Sequence, residues 1–298
     1  MRRPIAWGAL VFLVGCGASI NGSGVSSDAA SGDDAAPPGA GDADVLPPGR
    51  WSAPSKIMPA ATGSNEDDVT LSSDALELIF AVEATPGKDL YYTSRASKSD
   101  PWQQPATKLP FSASNTSEEA PRFSADDLTL YFASDRGGAT TLDIYLVRRP
   151  ARGSSMWNLP ARLDEVSSDL LVDKWFMPCS NNRYVMAQGA PGAGTDLVEG
   201  TLGEGPPSVT IELSSDDNDT GPFLTQDCLT IYFASNRSGV SQIYTSQRDA
   251  VTDPWPKPSP VLDFPIGGSS DGEEDPWLSP DGRTFAFARN KDIYLSTR

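Results

Sequence analysis

The chain has no histidine among its 298 residues. That removes the usual general base and the commonest zinc ligand, and with it any Ser-His-Asp or Cys-His arrangement. P-loop and dinucleotide patterns are absent as well; the short glycine run between Gly189 and Gly194 reads as a turn. Positive charge is scarce, with 23 Lys and Arg against 40 Asp and Glu and a net charge of −17. A nucleic-acid partner is therefore not expected, because neutralising phosphates needs a basic surface. No helical periodicity competes with the strand patterns, and no apolar run reaches the length of a membrane span. The longest, Ala6 to Val14, is too short to cross comfortably.

What is present is repetition. The stretch from Glu118 to Arg149 recurs in five variants. Anchored on the acid of an S-x-D turn, the copies fall at Asp74, Asp126, Asn181, Asp227 and Asp281, spaced by 52, 55, 46 and 54 residues. That period points to a propeller or another array. Four and six residues after the anchors come Leu78 and Phe80, Leu130 and Phe132, Val185 and Ala187, Ile231 and Phe233, Phe285 and Phe287. This is period-two spacing, with apolar residues between (Ile79, Tyr131, Met186, Tyr232), as in a strand buried on both faces. A second strand, D-x-Y-x-x-x-R, begins at Asp89, Asp143, Asp196, Gln242 and Asp292 and ends at Arg95, Arg149, Arg248 and Arg298; the third copy has Val198 and Leu202 in place of Tyr and Arg. A W-x-x-P element recurs at Trp51, Trp102, Trp157 and Trp255, replaced in the third unit by Pro207 to Ile211. Its prolines suit an edge strand.

These elements predict an all-β, five-bladed propeller of four-stranded antiparallel blades over residues 51–298. The chain ends after the fifth D-x-Y strand, and the spare W-x-x-P copy lies at Trp51 to Met58. Pairing that copy into the last blade closes the ring and removes two exposed edges. No sixth anchor is present.

Ahead of the repeats, Arg2 and Arg3, an apolar stretch and Leu13-Val14-Gly15-Cys16 resemble a bacterial lipoprotein signal, cleaved before an acylated cysteine. Residues 1–15 are then the signal peptide and 16–50 the lipidated Cys16 followed by a Gly/Ser/Ala/Asp/Pro tether too poor in apolar groups to fold. Gly17 after the cysteine, where an Asp signals inner-membrane retention in that class, implies the outer membrane, on its periplasmic face or at the cell surface. Cys179 and Cys228 lie at the first hairpin turns of their units. Export permits a disulfide. Turns on adjacent blades can nonetheless exceed the required Cα separation of roughly 4.4–6.8 Å, so free buried thiols are the default expectation.

The repeats resemble the WD40-like propeller repeats of TolB-type bacterial proteins. Pro276-Trp277-Leu278-Ser279-Pro280-Asp281-Gly282 stands close to the family's P-x-W-S-P-D-G, and Glu119 to Ser124 and Tyr131 to Arg136 extend the likeness. The resemblance implies a monomeric, non-catalytic module that binds a protein or envelope polymer. The alternative is a glycan-active enzyme of the arabinanase type, a chemistry that needs two carboxyls but no histidine. Acids that recur at equivalent positions favour binding over catalysis.

Eight residues before each anchor lies an acid: Glu66, Glu118, Asp173, Asp219 and Glu273. Equivalent positions share radius and height, so a ring of carboxylates at one mouth of the channel is expected, flanked by Asp67, Asp68, Glu119, Asp217, Glu274 and Asp275. Two readings stand. One is a blade-to-blade latch satisfied by backbone N–H groups or by Arg136 and Arg237. The other is a site for a cationic group or a hard cation such as calcium, which takes 6–8 oxygen ligands. No other cofactor is expected.

Overall fold

A computed structural model describes residues 50–57, 64–113, 115–138, 141–263 and 272–298. Cys16, the signal segment and the tether lie outside the described residues. Five four-stranded antiparallel sheets follow one another along the chain, and each corresponds to one repeat. In the first blade the strands are Glu66–Leu71, Glu77–Glu83, Lys88–Ser94 and Thr107–Lys108. In the second they are Glu118–Phe123, Thr129–Ser134, Asp143–Arg148 and Ala161–Arg162. The third and fourth blades repeat this order, with inner strands Val172–Pro178 and Asp219–Leu224.

The fifth blade is completed from the other end of the chain. Its inner strands are Glu273–Leu278, Thr284–Arg289 and Asp292–Thr297, and its outer strand is Ser55–Lys56. Trp51 stands beside Phe285 with ring centroids 5.5 Å apart. The Ser52 N–H donates to the Thr297 carbonyl at 2.7 Å.

Apolar second strands fill the spaces between sheets. Phe80, Phe132, Phe233 and Phe287 occupy one repeated position and are fully buried. Each such side chain contributes about 1.5–3 kcal/mol of transfer free energy. At the periphery a second device repeats. The arginine that ends each third strand stacks on the tryptophan of the outer element of its own blade: Arg95 on Trp102, Arg149 on Trp157, Arg248 on Trp255, Arg298 on Trp51. The same arginines donate from Nε to a turn carbonyl, of Ala75, Asp127, Cys228 and Gly282. In the third blade, where Leu202 replaces the arginine, no tryptophan precedes the outer strand Ser208–Val209 either. The two halves of the latch are lost together.

Cys179 and Cys228 form a disulfide, with Cα atoms 5.6 Å apart. This corrects the expectation of free thiols. Cys228 follows its anchor in the left-handed conformation (φ 63°) that Ala75, Asp127, Asn182 and Gly282 adopt in the equivalent turns. Ser180 bonds the Gln226 carbonyl at the same seam.

Candidate functional site at the two ends of the propeller axis

The S-x-D turns are local locks. Oδ1 of Asp74, Asp126, Asp227 and Asp281 accepts from the preceding Ser or Thr hydroxyl and from the N–H two residues on. This fixes each hairpin and sets the height of the inner strand before it.

The five acids eight residues earlier are all buried, between 0% and 3% exposed. Glu118 accepts from the Ala113 N–H, Ser134 and Arg136. Asp219 accepts from Ser215 and from Arg237 at 2.7 Å. Asp173 accepts from the Ser168 N–H and Gln188, and burial raises its pKa to about 6. Glu273 pairs with Arg289. The partners of these four come from the acid's own blade or its approach loop. The third and fifth blades use Gln188 and Arg289, the direct cross-strand neighbours of Asp173 and Glu273, rather than an S-x-R arginine. Among the described residues, no group of three or more His, Cys, Asp or Glu is placed to hold a metal ion.

The residues that meet at the axis lie one, two and four positions further on. Each inner strand carries a bulge there, and the bulged residue has positive φ in all five blades: Asp68, Ala120, Trp175, Gly221 and Asp275, between 53° and 58°. Only one is glycine. Such a conformation costs other residues of order 1–3 kcal/mol and persists where the surrounding structure imposes it. The bulge turns side chains into the channel, and bonds between non-adjacent blades follow. The Trp175 indole N–H of the third blade donates to Asp68 of the first at 2.9 Å. Arg122 of the second reaches the carbonyls of Gly221 and Pro222 in the fourth.

At one end the mouth is polar. Lys88 donates to Asp67 at 2.7 Å and to Asp68 at 3.0 Å, and stands 3.8 Å from Glu119, which also pairs with Lys174. The Asp68 N–H donates to Asp275. Burial pushes Asp68 up, but Lys88 and Lys174 override it and hold the group at about 2. Burial, reinforced by the Asp68 charge, raises Asp67 to about 7 and lifts Asp275 well above the carboxylate range. Raised folded-state values mean that the native protein holds protons the unfolded chain releases. Stability from Asp67 is thus present below pH ~4 and is lost as pH rises through about 7, and Asp275 contributes in the same sense. Thermal midpoints at pH 5 are expected to exceed those at pH 8, with a smaller difference in Asp67→Asn and Asp275→Asn; an unchanged pH slope in both variants would contradict this protonation.

At the other end a cavity of about 470 Å³ opens between the S-x-D turns. Its floor is Thr70, Met177, Phe223 and Trp277, and its walls include Leu71, Phe123, Leu224 and Leu278. Arg122, the fully buried fifth member of this layer, turns its guanidinium to the carbonyls of Val69, Gly221 and Pro222 on the side of the acidic mouth. The repeat pattern does not single these residues out. Their signal is variation at a repeated place: four residues before the anchors stand Thr70, Arg122, Met177, Phe223 and Trp277, all different.

No protein-family model matches the chain, and no curated protein matches it. Solved structures do. The TolB of Agrobacterium tumefaciens is 18% identical, over 80% of this chain and 78% of its own, with a TM-score of 0.52. The catalytic domain of the GH62 α-L-arabinofuranosidase of Coprinopsis cinerea is 12% identical, over 83% and 96%, at 0.51. A glycoside hydrolase of Bacteroides ovatus is 9% identical, over 78% and 86%, at 0.52. At these identities the likeness is one of fold, and this chain is similar in architecture both to TolB and to propeller glycosidases.

Proposed function

We propose that the protein is a lipid-anchored envelope protein whose propeller is a non-catalytic binding module, engaging a partner through the apolar funnel. The observation that carries this reading is the funnel itself: a concave, mostly apolar site within the 300–1,000 Å³ range of ligand pockets, with a few polar groups at its rim. The anchor rests on the Leu13-to-Cys16 segment, and the envelope location on that segment together with the TolB-like fold.

A neutral apolar probe tests it. Acetyl-Leu-Phe-amide is expected to shift the methyl resonances of Leu71, Met177, Leu224 and Leu278, and Phe223→Asp to abolish the shifts. Shifts confined to the Lys88 and Lys174 end, or none at all, would overturn the reading.

A glycan-active enzyme is the alternative, favoured by one observation. Asp67 and Asp68 are neighbouring carboxyls whose protonation is pushed apart, to about 7 and about 2, as an acid–base pair requires. Lys88 bonds both, however, and so occupies the carboxylates that such chemistry would use. Release of nitrophenol from a nitrophenyl arabinofuranoside, lost in Asp68→Asn, would favour the enzyme.

A further inference from the structure

The funnel has a bottom of unusual chemistry. Arg122 is 0% exposed, yet among the described residues no carboxylate lies within ion-pair distance of it. Its partners are main-chain carbonyls: Pro121 at 3.0 Å and Val69 at 3.1 Å to Nη1, Pro222 and Gly221 at 3.4 Å to Nε and Nη2. A guanidinium has five N–H donors, so these four bonds leave one Nη2 proton unassigned, and two of the four are long. A buried ion without a direct salt bridge is costly, and Asp275 and Asp68 offset part of that cost only through space. The carbonyl partners belong to residues five and six before the anchors, one step below the floor residues at four before. The floor above is apolar except for Thr70, which lines the cavity and whose hydroxyl makes no hydrogen bond among the described residues.

The funnel is also a dead end, because Arg122 and the ion pairs beyond it fill the axis. A dead end admits the tip of a chain rather than the middle of one. A fatty acid entering head-first would leave its tail in water, and entering tail-first would leave its head far from Arg122. A polypeptide C-terminus fits both requirements. Its carboxylate reaches the bottom, its last side chains lie on Phe123, Phe223 and Trp277, and its backbone leaves past a rim of acceptors that includes Asp227 and Gln226. The acidic rim further favours a basic residue a few positions back.

We propose that the funnel binds the C-terminal carboxylate of a partner polypeptide ending in apolar residues, with Thr70 as hydrogen-bond donor and the buried Arg122 as the charge that selects the anion. This rests on the funnel being the binding site and names its ligand class.

The test compares acetyl-Leu-Phe bearing a free carboxylate with its amide and its methyl ester, titrated against the protein by methyl NMR. The carboxylate is expected to bind at least about tenfold more tightly than either neutral form. Arg122→Met should erase that preference while leaving the amide's affinity in place, and Thr70→Val should reduce it. Equal affinities in the wild type, or a preference that survives Arg122→Met, overturn the inference. Should Arg122→Met fail to fold, the ester comparison and Thr70→Val in the otherwise intact protein decide alone. Decanoate binding as tightly as the dipeptide carboxylate would assign the site to fatty acids and overturn the peptide terminus. If the amide binds but the carboxylate has no advantage, only this inference falls; if the amide does not bind either, the funnel itself is not the site.

Discussion

Removal of residues 51–57 is expected to abolish cooperative thermal unfolding near the wild-type midpoint, whereas removal of residues 17–49 should leave the midpoint unchanged. Among the described residues, the short strand Ser55–Lys56 is the only strand contributed to the fifth blade from outside its own repeat. Around it the Ser52 backbone bonds Thr297, Ser296 donates to the Ser52 carbonyl at 2.6 Å, and Ile57 donates to the Ile293 carbonyl. Trp51 carries the Arg298 guanidinium 4.5 Å above its ring. Without this segment the sheet ends on an exposed strand, a template for aggregation. Trp51→Ala alone should cost about 3 kcal/mol, by analogy with other large-to-small core changes, lowering the midpoint by about 6–12 °C. Circular dichroism melts of the three proteins decide the matter, and equal midpoints for the two deletions would mean that the ring does not need this closure.

The second large effect is expected at the seam between the third and fourth blades. Cys179→Ser/Cys228→Ser opens a loop with a sequence separation of 49. Loop-closure entropy for that length gives about 4 kcal/mol, a fall of roughly 8–16 °C in midpoint. The same seam is also held by Glu199, which pairs with Arg248 at 2.7 Å and accepts from the Trp255 indole. Burial raises Glu199, but the Arg248 and Arg183 bonds override it and leave its pKa lowered. The double mutant should therefore fold, only less stably. A loss below about 1 kcal/mol would show that Glu199 and the Ser180 contact carry the seam, and that the covalent bond adds little.

Much of this architecture is legible in the residues because repetition multiplies weak signals. Five occurrences of one spacing fix the blade number, and a spare W-x-x-P copy before the first anchor fixes how the ring closes. The acids eight before the anchors were legible as a set, but not their surroundings. Period-two reasoning assumes an unbroken strand. The bulge two residues later breaks that register, so the acids themselves are enclosed by Arg136, Arg237, Arg289 and Gln188 while Asp68, Trp175 and Asp275 turn to the axis. A bulge has no residue signature when Asp, Ala and Trp fill it as readily as Gly221. The disulfide was obscured by a separation argument, since nothing in the sequence tells that the turns of the third and fourth blades lean together. The funnel was hidden for the opposite reason from the blades: a search for what recurs passes over the one layer where nothing does.

The closing strand also has a mechanical meaning. Any pull on the residues ahead of Arg50 is delivered first to Trp51, Ser52 and the two-residue strand, before it reaches any other part of the ring. The strand runs antiparallel to Asp292–Thr297 and is bonded to it at only a few points. Tension from the N-terminal side therefore loads the fastener of the whole propeller directly, and the Trp51–Arg298 stack is the first contact to bear it. A force-extension trace with the load applied through the N-terminus should thus yield at a lower force than one in which the load enters through an internal loop.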